Sequence, residues 1–201
     1  MRVVTDDEMR QYLAKHEDLR CEGRRLRFDH PEARAICVDL RVQEPHQLVH
    51  LARLVAHLTY DERHFSSASL WITLWGVWND HDEAVTLKAI ERFRQGYGEN
   101  RSLQAAPGHF FRHDEFVESV ACLLQPMLIG WDAYYVPQWA WGTLDYFVFV
   151  SHDCFLHIET RTTDVYERGV ELLKTRGWLK VGCHPPGSHH NAKAKTPEPE
   201  A

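Results

Sequence analysis

The run Leu144-Asp145-Tyr146-Phe147-Val148-Phe149-Val150-Ser151-His152-Asp153-Cys154-Phe155-Leu156-His157-Ile158-Glu159 decides the fold. Its two halves are rich in aromatic and β-branched residues, which suit a pleated, half-buried surface, and Ser151-His152-Asp153 between them has turn chemistry. Strands are therefore expected over Leu144 to Val150 and Cys154 to Glu159, with a third just upstream over Met127 to Val136. Farther upstream, Leu70-Trp71-Ile72-Thr73-Leu74-Trp75-Gly76-Val77-Trp78 is apolar at odd and even positions alike, the pattern of a central strand covered on both faces.

Helices fill the remainder. Thr5 and Glu8 form a capping box ahead of Met9, Tyr12 and Leu13 at helical spacing. Pro45 suits a first helical position, and Leu48, Leu51, Ala52, Val55 and Leu58 share one stripe after it. Asp80 and Glu83 fit the start of a helix that points Val85, Leu87, Ile90 and Phe93 inward and stops at Gly96. Asp114 to Leu124 reads as a helix ended by Pro126, and a last helix begins near Asp164 and stops at Gly177. Leu26 to Phe28 and Ala35 to Val42 read as the two arms of a hairpin, and 97–108 as loop. The strands are not regularly separated by single helices. An α+β fold follows, with a mainly antiparallel, possibly mixed sheet, in one domain over 1–182 and a polar, flexible tail over 183–201.

Composition narrows the function classes. The chain has 201 residues and a formal net charge of −6, which opposes phosphate-backbone binding, so no nucleic-acid partner is expected. The five cysteines are scattered without a C-x-x-C pair and read as reduced thiols. With a charged N-terminal segment and no long apolar run, a cytoplasmic protein with no membrane partner is expected. Nucleotide fingerprints and nucleophile elbows are missing, so no cofactor is expected either.

Three groups of residues carry candidate chemistry. His46 and His50 lie one helical turn apart, a spacing that lets two imidazoles share a metal ion, but they face away from the apolar stripe, where polar residues need no special reason. His81 and Asp82 after the Trp-rich strand, and His152 and Asp153 between the late strands, fit general bases or metal ligands of a hydrolase if the sheet brings them together; helix capping and turn formation explain the same residues without catalysis. Trp139 and Trp141 sit in an expected loop over Pro137 to Gly142, where large aromatics mark a binding hot spot unless they fold back onto the core. The favoured expectation is a non-enzymatic, inhibitor- or adaptor-like module that offers an acidic, aromatic-studded surface to a basic protein partner. A metal-dependent hydrolase is the alternative. Apolar strand edges at Tyr134 to Val136 and Leu144 to Val150 also leave room for a homo-oligomer.

Overall fold

The computed structural model describes residues 1–41, 44–74, 81–140, 142 and 144–179. The chain runs through β1 (Arg2–Val4), α1 (Asp6–Leu13), β2 (Leu19–Glu22), β3 (Arg25–Phe28), β4 (Arg34–Asp39), α2 (Pro45–Ala56), β5 (Phe65–Leu74), α3 (His81–Gln95), β6 (Gly108–Arg112), α4 (Phe116–Ile129), β7 (Asp132–Trp139), β8 (Tyr146–Ser151), β9 (Phe155–Thr160) and α5 (Thr163–Thr175). Seven strands form one sheet in the order β1-β6-β5-β7-β8-β9-β4, every neighbouring pair antiparallel, while β2 and β3 pair separately. The α+β class and the antiparallel sheet are as the sequence implies.

Both faces of the sheet are covered, which explains why β5 is apolar at consecutive positions. Leu70 and Ile72 belong to the larger core, with Tyr135, Val148 and Ile158 from the sheet and residues of α2, α4 and α5 above it. Trp71 belongs to the opposite core, with Met9 and Leu13 of α1, Leu26 and Phe28 of β3, and Tyr134 and Phe147. Gly108 lets β1 and α1 close on the sheet, since a Cβ there would lie 2.7 Å from Val4 and 2.8 Å from Met9.

Several expected elements are corrected. Leu26 to Phe28 pairs with β2, and β4 pairs with β9, so the two segments are not arms of one hairpin. Helix α4 runs through Pro126 to Ile129, because Leu123, Pro126 and Met127 are buried on its inner side and Gly130, with φ 65°, supplies the stop one turn later. The strand expected from Met127 begins at Asp132 and takes in Pro137 to Trp139. Val85 is 56% exposed, not inward. The expected free edges at β7 and β8 are interior strands, and the true edges are β1 and β4. Residues 75–80 and the expected tail over 183–201 lie outside the described residues, and no helix among those described is long and apolar enough to cross a membrane.

One buried hydroxyl ties the sheet to a helix end. Tyr146, fully buried, donates to the Val55 carbonyl at 2.8 Å and accepts from the Leu58 amide at 2.9 Å, supplying partners where α2 runs out of its own. Tyr146→Phe keeps the ring and strands both backbone groups, so a loss of roughly 1–3 kcal/mol is expected in urea unfolding.

Candidate functional site

The sequence-derived candidates are dispersed. His46 and His50 are exposed on the outer side of α2, and among the described residues no three His, Cys, Asp or Glu side chains are grouped to hold a metal ion. His81 and Asp82 open α3, their side chains outside the described set, as is Trp141. Trp139 is 1% exposed, in β7 and not in a loop, with its ring against Tyr60 and Phe65. The expectation of a surface tryptophan there is corrected: the indole is held in the core by strand pairing with Phe65.

His152 does have a partner. The β8–β9 turn carries it to the start of β7, where Asp132 accepts from its backbone amide at 2.7 Å and meets its ring Nδ1 at 2.8 Å, while Nε2 lies 3.7 Å from Asp153. The Asp132 hydrogen bond raises the His152 pKa above its ordinary value. A raised folded pKa means stability that is fully present below the unfolded value and lost as pH rises through the folded one. The side chain is 33% exposed, so the effect is that of a surface pair. The stability difference between wild type and His152→Gln is expected to be a few tenths of a kcal/mol larger at about pH 5.5 than at about pH 9, read by urea titration.

A larger feature lies beside β6, bordered by residues of β1, α1, β5, β6 and β7 and by Tyr97. Arg2, Tyr12, Tyr97, Phe110, Arg112 and Gln138 border a cleft of about 700 Å³. Its wall is set by a chain of polar contacts: Ser67 donates to Gln138 Oε1 at 2.9 Å, Gln138 Nε2 donates to His16 Nε2 at 3.0 Å, and Tyr12 hydrogen-bonds with Gln138 and Ser67. Burial lowers the His16 pKa, which keeps the ring neutral and its lone pair available to Gln138. Tyr12 and Phe110 pack edge to face at 4.4 Å, and the Arg2 guanidinium lies 4.9 Å above the Phe110 ring. Arg112 is 73% exposed and only 3.6 Å from each of Asp114 and Glu115.

The Glu115 carboxylate is already committed, to the Met1 amino group and to the Arg112 amide at 2.9 Å. The cleft thus combines rigid aromatic walls with two cationic groups and one neutralised acid, which suits recognition of an anionic, partly apolar ligand. The cleft escaped the sequence reading because Gly108–Arg112 is a five-residue strand preceding a helix, while Arg2, Tyr12 and Tyr97 come from three unconnected segments. The only local signal was the apolar pair Phe110-Phe111 after Pro107. No protein-family model, curated protein or solved structure matches the chain.

Proposed function

We propose that the protein acts by binding and not by catalysis, and that its binding surface is the cleft beside α1, which takes an acidic, aromatic-containing segment of a protein partner. What carries this reading is the co-location of Tyr12, Tyr97, Phe110, Arg2 and Arg112 around one cleft of about 700 Å³. Tyr and Arg are the residue types that dominate binding hot spots, and they work best on a rigid support. Here the support is a paired strand, β6, and a capped helix, α1. The overall charge of −6 favours a basic partner, whereas Arg2 and Arg112 at this cleft favour an acidic one, and the cleft is the binding surface proposed.

Panning a random peptide display library on the full chain, with Tyr97→Ala/Arg112→Glu as the comparison, tests this. Both substitutions fall at exposed positions and should leave the fold intact. Acidic peptides with an aromatic residue are expected to enrich on the wild type and to lose affinity about tenfold or more on the variant. Equal enrichment on both would count against the cleft.

A metal-dependent hydrolase is the second reading, and the His152–Asp132 contact is the observation in its favour, since a carboxylate on Nδ1 is how a ligating or basic histidine is oriented. Calorimetric titration with Zn²⁺ and Mn²⁺, repeated on His152→Ala, separates it from the binding reading.

A further inference from the structure

Helix α4 shows water a side that a surface helix ordinarily keeps polar. Of its 14 residues only Glu118 is charged, and the side turned from the core is apolar too: Val117 is 75% exposed, Leu128 is 45% exposed, Ala121 is exposed and Leu124 half-buried. A helix that is apolar all round belongs in an interior. The inner side of α4 is in one, with Leu123 and Met127 in the larger core, whereas the outer side is open among the described residues. The helix packs against both α2 and α3 on the same face of the sheet, and each neighbour adds an exposed valine, Val49 and Val85. Four of the six large hydrophobic side chains exposed among the described residues thus lie on one helix layer. Scattered exposed apolar residues are ordinary, but a stripe of them along one helix marks an interaction surface.

The spacing of the stripe indicates what covers it. Val117, Ala121, Leu124 and Leu128 recur at intervals of four, three and four, the 3.5-residue period of a seam between two helices. That order reads the same in both directions. A second α4 laid antiparallel across a two-fold axis therefore sets Val117 against Leu128 of the second copy and Ala121 against its Leu124, large beside small at the centre. A parallel pair would set Glu118 against Glu118, while the antiparallel one carries each Glu118 to the far end of its neighbour. Lys88 waits there. Burial and then the carboxylates of Glu118 and Glu115 raise the pKa of Tyr97, just past the end of α3, so α3 ends beside the start of α4 and its early residues, Val85 and Lys88, lie toward Leu128. Neither Lys88 nor Glu118 forms an ion pair among the described residues.

We propose that this face is a self-association surface: a second copy of the chain packs on it across a two-fold axis, α4 antiparallel to α4, with Glu118 of each copy beside Lys88 of the other. A second copy is the occupant because the face complements itself, in the order of its apolar residues and in the placement of its charges. The seam is about 21 Å long at the helical rise, and with helices about 8–10 Å apart the layer offers a footprint of about 500 Å² per copy. That is the size of a weak, reversible interface and not of an obligate one.

Sedimentation velocity of the full chain between about 1 and 300 µM reads the association, and the wild type is expected to pass from monomer to dimer with a dissociation constant of about 10–100 µM. Val117→Glu, at the most exposed of the seam positions, leaves the monomer fold intact and is expected to weaken the dimer about tenfold or more, because it sets a carboxylate against Leu128 of the second copy. Lys88→Glu and Glu118→Lys are each expected to weaken it about threefold or more, and their combination to return to within about twofold of the wild type. A wild type that stays monomeric throughout would overturn the proposal and leave the face to a different protein. So would a Val117→Glu variant that associates as tightly as the wild type, or a double charge exchange no tighter than the single ones.

Discussion

Trp139→Ala is expected to lower stability by about 3–5 kcal/mol, the usual cost of truncating a large aromatic in a packed core. The side chain is 1% exposed, 5.1 Å from the Tyr60 ring and 6.4 Å from Phe65 between centroids, and its strand is paired with β5. Little around it can collapse into the void, because Phe65 is itself packed against Phe116. Its indole Nε1 has no hydrogen-bond partner, so removing it relieves a small polar penalty and pulls the effect toward the lower end of the range. Urea unfolding is the measurement, read as a large fall in midpoint with little change in slope. A variant that kept its stability would mean that the indole is not part of the core, and would return Trp139 to the surface role that a loop position implies.

His109→Phe should have the second-largest effect, and it should depend on pH. With a folded pKa of about 3, His109 binds fewer protons in the native state than in the unfolded chain, where the ordinary value is near 6.5. Stability rises with pH wherever the unfolded state holds more protons, so this group costs nothing above about pH 7 and destabilises progressively as pH falls from about 6.5 toward 3. Burial is the principal cause and Arg94 the second; the carbonyls of Leu70 and Pro107 and the Glu99 carboxylate act the other way. Replacing the ring by Phe removes the titration, and the variant should gain about 2 kcal/mol over the wild type at pH 5 and about 3 at pH 4, relative to their difference at pH 8. Parallel titrations in urea at those three pH values give the answer. Curves that stay parallel would mean that His109 is hydrated or charged in the folded protein.

The parts of the fold legible in the sequence are those fixed locally. The Thr5/Glu8 capping box starts α1 as read, Gly177 with φ 78° follows α5, and the apolar stripe of α2 is buried at Leu48, Leu51, Ala52 and Val55. The double-sided strand is β5, and the late strands pair across the turn at 152–154 in antiparallel register. The errors came where partners distant in sequence decide. Nothing near Leu26 reveals that its strand pairs with Cys21 while Ile36 pairs with Ile158. Pro126 is a strong local stop signal, yet burial of Leu123 and Met127 carries α4 another turn.

The candidate sites divide in the same way. That His152 would sit in a turn was visible, but its contact with Asp132, twenty residues upstream, was not. Trp139 lies in β7 and not in a loop because that strand extends past its β-branched portion. The α1 cleft could not be found from one sequence at all, since Arg2, Tyr12, Tyr97, Phe110 and Gln138 meet only after β1 adds to β6 and β6 to β5. His109 shows the same dependence: only its burial in β6, at 2% exposure, sets it apart from the other histidines.

The most direct measurement is backbone NMR of the full chain titrated with an acidic, aromatic-containing peptide selected on it. The expected result is a contiguous set of perturbed amides at Tyr12, Tyr97, Phe110 and Arg112, weakening as salt is raised and lost in Tyr97→Ala/Arg112→Glu. Perturbations confined to the β7–β8 connection or to the His152 turn, with the cleft silent, would contradict the assignment of function to this surface.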